Sequence, residues 1–165
     1  MTHDGPSRTL SPEAFREACR TRGMRITRQR EVIYAALAAT RAHPTAEELM
    51  SLVRASEPGV SLATIYNTLD AFVRAGLCVR IPPTGTGDAP REDEGPGASP
   101  TPGANRYDAD TTPHAHVIRR TGEVRDLPES VQATLRGVVD DDMLRKVSRS
   151  MGVAIDRVEI RLLEE

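Results

Sequence analysis

The side chains best suited to metal binding are concentrated in the second half of the chain. His114 and His116 are separated by one residue, Asp108 precedes them and Asp126 follows them. In an extended segment, residues two apart point to the same side, so both imidazoles can hold one ion. Two histidines with carboxylates and no thiolate suit Fe²⁺ or Mn²⁺, and Zn²⁺ also binds such sites. A bare His-x-His pair is equally compatible with two surface histidines beside a flexible loop.

The two cysteines, Cys19 and Cys78, are isolated from each other and from the histidines. Neither lies in a Cys-x-x-Cys or Cys-x-x-His spacing, so they predict no structural zinc site and no disulfide framework. Two reduced, buried thiols are the simpler interpretation. No apolar run approaches the ~18–20 residues of a membrane span, and the N-terminus lacks the apolar stretch of a signal peptide. We therefore expect a cytoplasmic protein with no membrane contact.

The distribution of charge matters more than its total. The formal net charge is −2 and the isoelectric point is about 6.1, which alone does not indicate a nucleic-acid partner. Residues 16–30, however, carry six arginines and one glutamate, whereas residues 88–94 and 140–142 are acidic. A local basic surface is what binding to double-stranded DNA requires.

Four helices and a strand are predicted in residues 1–81. Ser11, Thr27, Thr45 and Ser61 each stand where an N-cap is expected, and residues 77–81 follow as a strand. Helix, short break, helix and strand is the order of a winged helix-turn-helix. Helical spacing predicts that the following residues face inward: Ile33, Ala36, Leu37, Leu49, Leu52, Val53, Ile65, Leu69, Phe72 and Val73.

The rest of the chain predicts a second, smaller α/β unit. Residues 82–105 lack large apolar side chains, and we interpret them as a disordered insertion in the wing. A short strand is expected at 105–108, strands at 116–119 and 123–127, and a helix from about residue 128 to 152, interrupted near 140–142. In a last strand over 153–163, Val158, Ile160 and Leu162 alternate with charged residues and should face inward. The fold class is therefore α+β, with a DNA-binding domain at 1–81 and a dimerisation and metal-binding domain at 106–165. Cores this small gain stability from dimerisation or a bound metal.

Several motifs, in order along the chain, resemble the ferric uptake regulator family. The resemblance covers roughly residues 20–82 and 105–163. The runs that carry it are Gly23-Met-Arg-Ile-Thr-Arg-Gln-Arg30, His43-Pro-Thr-Ala-Glu-Glu-Leu49, Val60-Ser-Leu-Ala-Thr-Ile-Tyr-Asn-Thr-Leu69, Ala75-Gly-Leu77, Arg106-Tyr-Asp108, His114-Ala-His116 and Gly122-Glu-Val-Arg-Asp126.

This resemblance implies a regulatory metal site with one Fe²⁺ or Mn²⁺ per protomer. Its ligand positions fall on His43, Asp108, His114, His116 and Asp126. Because both carboxylates are aspartates, and because Asn67 follows Tyr66, the set looks like the peroxide-sensing branch of the family. In that branch, peroxide reacts with bound iron and a ligand histidine is oxidised. The family's Cys-x-x-Cys after the paired histidines is missing here, so its structural four-cysteine zinc site should be absent.

The same resemblance implies a homodimeric transcriptional repressor that binds an A·T-rich palindromic operator. The fourth helix should enter the major groove, with Ser61, Thr64, Tyr66, Asn67 and Thr68 among its outward side chains. Arg25 should reach the minor groove, and Arg28 and Arg30 should contact phosphates.

Three alternatives remain at this point. The first is a regulator of iron or manganese uptake, and the second is a metal-independent winged-helix regulator whose site is degenerate. The third is an enzyme with an open His/Asp metal centre. The enzyme is disfavoured because no nucleophile, phosphate loop or glycine-rich substrate motif accompanies the cluster.

Overall fold

The computed structural model describes residues 9–83, 104–112, 114–119, 121–154 and 160–163. Within these ranges, the N-terminal half contains α1 (Pro12–Thr21), α2 (Arg28–Ala39), α3 (Ala46–Val53), α4 (Leu62–Arg74), β1 (Val79–Ile81) and β2 (Arg106–Asp108). The C-terminal half contains β3 (His116–Ile118), β4 (Val124–Asp126), α5 (Glu129–Val138), α6 (Asp141–Met151) and β5 (Arg161–Leu163). The predicted α+β class is confirmed. None of the described helices is long and apolar enough to cross a membrane.

The first four helices begin at the predicted caps. The side-chain oxygens of Ser11, Thr27, Thr45 and Ser61 each accept a hydrogen bond from the backbone N–H three residues later. At α3 the capping box is complete, because Glu48 also accepts a hydrogen bond from the Thr45 backbone. This arrangement fixes the chain immediately after His43 and Pro44.

Three aromatic rings lie at the centre of the N-terminal core. Phe15 stacks on Tyr34 with ring centroids 4.2 Å apart, and Phe72 meets both rings edge-on. The thiols of Cys19 and Cys78 are free and buried in the same core. Most predicted inward residues of α2, α3 and α4 pack here, with Ala36 and Val73 partly buried.

Two predicted orientations in these helices are wrong. Leu52, expected inward, is 51% exposed. Each helical residue advances by about 100°, and the buried face of α3 runs through Leu49 and Val53, which leaves Leu52 to one side. Thr68, expected outward, is buried. It lies three residues after Ile65 and therefore on the buried face of α4.

The wing is formed by β1 and β2, which pair antiparallel with Val79 opposite Asp108. Residues 84–103 between these strands, most of the predicted insertion at 82–105, lie outside the described residues. Tyr107 and Ala109 are buried in the N-terminal core. Asp108 is thus carried by a strand of the winged helix.

A three-stranded sheet in the order β4-β3-β5 forms the C-terminal half. β3 pairs antiparallel with β4, which places His116 opposite Asp126, and parallel with β5. The predicted interruption near residue 140 is confirmed, because Asp140 caps the separate helix α6.

The last strand departs from its prediction. Only Arg161–Leu163 is described as strand, and Val158 lies outside the described residues. Ile160 is partly buried, whereas Leu162, expected inward, is 44% exposed. Leu162 pairs with Val117, whose side chain points to the opposite face from buried His116 and Ile118. The alternation along the strand therefore places Leu162 on the exposed face in the single chain.

Candidate metal centre

The five side chains singled out from the sequence lie in one cluster. Each offers one ligand atom, and these atoms all lie within 4.8 Å of one another. The Nε2 atoms of His43 and His114 are 3.2 and 2.9 Å from Oδ2 of Asp108 and 3.1 Å each from Oδ1 of Asp126. His116 Nε2 is 3.6 and 3.5 Å from the same oxygens. Three imidazole nitrogens and two carboxylate oxygens thus converge on one point.

Both halves of the chain contribute to this cluster. His43 comes from the loop between α2 and α3, and Asp108 ends the wing strand β2. His116 and Asp126 face each other across β3 and β4, and His114 lies just before β3. His43 has a φ of +45° and, among the described residues, is the only non-glycine residue with a positive φ. Such a backbone conformation persists where surrounding contacts enforce it, and here it directs the ring towards the other four side chains.

Backbone carbonyls orient two of the three rings. The Nδ1 atom of His43 lies 3.2 Å from the carbonyl oxygen of Val124, and that of His114 lies 2.7 Å from the carbonyl oxygen of Thr112. When these Nδ1 atoms donate to the carbonyls, each Nε2 is left facing the centre of the cluster. This arrangement of outer partners is typical of histidines that bind metals.

The burial of the cluster fits a cation. Among the described residues, nearly all buried side-chain polar atoms without a hydrogen-bond partner belong to it, namely Asp108 Oδ2, His114 Nε2 and both ring nitrogens of His116. Such atoms are costly unless something compensates them. A divalent ion would bind Asp108 Oδ2 and the Nε2 atoms of His114 and His116, and its charge would balance both carboxylates. A donor set of imidazole and carboxylate suits Fe²⁺, Mn²⁺ or Zn²⁺.

Protons stabilise the same cluster when no ion is present. Burial lowers the pKa of His43 and His114, but the two aspartates outweigh it and raise these pKa values to about 9 and about 10. Burial raises the pKa of Asp108 and Asp126, but the histidines outweigh it and hold both pKa values well below the usual range. A metal ion therefore competes with protons for this site.

Arg106 connects the cluster to both halves, and no spacing or residue pattern in the sequence indicated this role. Its buried guanidinium donates hydrogen bonds to the carbonyl oxygens of His43 (2.9 Å) and Gly122 (2.6 Å). It also forms an ion pair with Glu48 at 3.0 Å. Gly122 lies in the turn between β3 and β4, so one side chain joins the wing, the His43 loop, α3 and the C-terminal sheet. Its place in Arg-Tyr-Asp was visible in the sequence, but contacts with backbone carbonyls leave no residue pattern.

The residues predicted to contact DNA lie on α4 and on the loop and first turn leading into α2. Tyr66 and Asn67 are exposed on α4, and the Tyr66 hydroxyl donates to Glu47 of α3 at 2.7 Å. Ser61 and Thr64 are joined at the start of α4, their hydroxyl oxygens 2.8 Å apart.

Among the basic residues predicted to contact DNA, Arg25 is exposed. Arg28 forms an ion pair with Glu57, and Arg30 donates to the carbonyl of Arg25.

Comparisons with known proteins show which proteins this chain is similar to. The model of the ferric uptake regulator family matches residues 21–88. The peroxide-responsive repressor PerR of Staphylococcus saprophyticus is 35% identical over 99 residues, which are 60% of this chain and 55% of that protein. The PerR of Staphylococcus epidermidis is 29% identical over 139 residues, 81% of each chain.

A solved structure extends the similarity along the chain. A zinc-bound manganese uptake regulator superposes with a TM-score of 0.52 at 25% identity, covering 91% of this chain and 98% of that one. Over residues 21–88 the chain matches the ferric uptake regulator family, and the similarity to the two repressors and to the manganese uptake regulator extends beyond that stretch.

Proposed function

We propose that this chain is a metal-dependent, DNA-binding transcriptional repressor that acts as a homodimer on A·T-rich palindromic operators. The observation that carries the proposal is a cluster of five side chains able to bind a metal, shared between the winged helix and the C-terminal sheet. His43 and Asp108 belong to the first half, and His114, His116 and Asp126 belong to the second. One Fe²⁺ or Mn²⁺ held by all five would bias the relative placement of the two halves.

This bias is the basis of regulation in the proposal. In a homodimer, the angle between winged helix and C-terminal domain sets the spacing of the two α4 helices on the DNA. A ligand shifts such an equilibrium only by its differential affinity for the two states. A preference of about 100-fold for the closed arrangement corresponds to roughly 2.7 kcal/mol.

Peroxide is the signal that we propose. Two relatives named as peroxide-responsive repressors match this chain at 35% and 29% identity. Both carboxylates of the cluster are aspartates, as the peroxide-sensing branch implies. Iron bound at the cluster would supply the reactivity towards peroxide, while the chain contributes His43 and His114 as the side chains that oxidation would modify. Control of metal uptake is the second candidate, favoured by the likeness to a manganese uptake regulator.

Operator binding with and without metal tests the proposal. Because the operator is to be identified, duplexes are first selected from a random pool by the full chain in the presence of Mn²⁺. The affinity for the selected duplex is then measured with Mn²⁺ and with chelator. We expect Mn²⁺ to tighten binding at least tenfold. Equal affinity in both conditions would overturn metal dependence and leave a metal-independent winged-helix regulator.

A peroxide challenge separates the two candidate signals. Protein loaded anaerobically with Fe²⁺, and a Mn²⁺-loaded control, are exposed to hydrogen peroxide, and peptides containing His43 and His114 are analysed by mass spectrometry. A gain of one oxygen atom on either histidine in the Fe²⁺ sample alone, with release from DNA, supports peroxide sensing. Intact histidines and unchanged DNA binding would favour the control of metal uptake.

A further inference from the structure

The loop between Asp108 and His114 contains an acidic residue that is not one of the five ligands. Asp110 lies two residues after Asp108, is partly buried, and its backbone N–H donates to Asp108 Oδ1 at 2.8 Å. That bond occupies the outer oxygen of Asp108, and the inner oxygen, Oδ2, faces the three histidines. The backbone of Asp110 thus determines which oxygen of Asp108 is presented to the cluster.

The side chain of Asp110 continues the chain of hydrogen bonds towards His114. Its Oδ1 accepts hydrogen bonds from the backbone N–H and the hydroxyl of Thr112, at 2.9 and 2.6 Å. The carbonyl oxygen of Thr112 in turn lies 2.7 Å from His114 Nδ1. One carboxylate oxygen therefore holds the peptide segment whose carbonyl orients a ligand ring.

We infer that the side chain of Asp110 positions the metal centre by fixing the ring orientation of His114 without binding the ion itself, while the backbone N–H of residue 110 holds the outer oxygen of Asp108. The inference rests on the proposed metal site. Removing a residue that holds a metal ligand in place by hydrogen bonds commonly weakens metal affinity by roughly 10–100-fold. An acceptor oxygen at position 110, rather than a negative charge, is what the geometry requires.

Substitutions at Asp110 can separate these two properties. Asp110→Asn keeps an oxygen that accepts both Thr112 bonds but removes the charge, whereas Asp110→Ala removes both. Asp142→Ala is the matched control, since it removes an exposed carboxylate from α6. The Mn²⁺ affinity of the full chain is measured for all four proteins by counting free Mn²⁺ with electron paramagnetic resonance. Thermal unfolding of the metal-free proteins checks that each variant is folded.

We expect Asp110→Ala to weaken Mn²⁺ binding by roughly 10–100-fold and Asp110→Asn and Asp142→Ala to stay within about threefold of the native chain. Native affinity in Asp110→Ala would overturn the inference. A loss in Asp110→Asn as large as in Asp110→Ala would overturn it too, because charge would then be the cause.

A second measurement needs no metal. In the metal-free native chain, the Nδ1 proton of His114 should give a downfield, slowly exchanging ¹H NMR signal that Asp110→Asn keeps and Asp110→Ala loses. Retention of the signal in Asp110→Ala would count against the inference. If the native chain shows this signal but binds no Mn²⁺, the proposed function fails while the orienting role of Asp110 stands.

Discussion

The guanidinium of Arg106 donates a hydrogen bond of 2.9 Å to the backbone carbonyl of His43, a residue held at a φ of +45°. The same group of atoms is bonded to Gly122 in the C-terminal half and paired with Glu48 at the start of α3. The backbone of the loop histidine is therefore fixed from β2 whether or not its ring binds an ion.

Removing this guanidinium should cost stability and metal affinity together. Arg106→Met removes the donor to two carbonyls and the ion-pair partner of the half-exposed Glu48, and we expect a loss of about 2–4 kcal/mol in the free energy of unfolding. Denaturant unfolding of the metal-free chain measures it. Arg106→Lys should recover part of the loss, since one ammonium reaches fewer acceptors in this geometry. Native stability in Arg106→Met would contradict the assigned role.

Loss of the loop histidine should uncouple metal from DNA. In His43→Ala the winged helix keeps its DNA-facing residues but no longer supplies a ring to the cluster. We expect the metal-free affinity for the operator to stay within about twofold of the native chain and the Mn²⁺-induced increase to disappear. Fluorescence anisotropy with labelled operator measures both. An operator affinity that still equals that of the native chain, with and without excess metal, would refute the coupling.

Metal binding should strengthen as the pH rises. Because the two aspartates raise the pKa of His43 to about 9 and of His114 to about 10, both rings carry protons at neutral pH, and an incoming ion displaces them. With two protons displaced, the Mn²⁺ association constant should rise by up to about 100-fold per pH unit below pH 9. Titrations at pH 6.5, 7.5 and 8.5 test this. An Mn²⁺ association constant that is independent of pH would show that the His43 and His114 rings are already neutral over this range.

The same shifts predict how stability depends on pH. Both histidines have a folded-state pKa above their unfolded value of about 6.5, so their stabilisation is complete below pH 6.5 and is lost between about 6.5 and 10. The metal-free chain should therefore melt at a lower temperature at pH 8.5 than at pH 6.5, and Mn²⁺ should raise the melting temperature more at pH 8.5. An Mn²⁺-induced rise in melting temperature that becomes smaller as the pH increases would contradict this assignment.

The basic surface before α2 should contribute to DNA affinity through counterion release. Arg25 is exposed, whereas Arg20 forms an ion pair with Glu17 on α1 at 3.2 Å. The operator association constant K falls as salt rises, so the slope of log K against log salt concentration is negative. Arg25→Ala should reduce the magnitude of this slope by about 1, and Arg20→Ala should leave it nearly unchanged. Salt titrations of operator binding compare the two. Equal slopes for both variants and the native chain would remove Arg25 from the DNA contacts.

Local signals in the sequence are sufficient to predict the helices of the winged helix. Four N-caps located the starts of the helices, because a cap and its N–H partner lie within three residues. Leu52, Thr68 and Leu162 were misplaced because the side of a short helix or strand that becomes buried depends on what packs against it. In β5, for example, the register with Val117 decides this.

The metal centre was predicted only partly by its own spacing. His114 and His116 are visible as a pair with Asp108 and Asp126 nearby in the sequence. His43 lies far upstream and joins them through the fold, and the family resemblance assigned it to the site. Arg106 and Asp110 were missed because they act on backbone carbonyls and N–H groups, which every residue carries. The roles of these two residues follow from hydrogen-bond distances in the folded chain, which residue types alone do not give.

Cys19 and Cys78 are both buried, and burial raises the pKa of Cys78 to about 12. Thiolates, rather than thiols, react with alkylating reagents and oxidants. The two cysteine sulfurs of the folded chain are thus unreactive at neutral pH, and oxidation of cysteine should be confined to unfolded molecules. Iodoacetamide labelling of a sample taken before peroxide is added consequently measures the fraction of unfolded molecules.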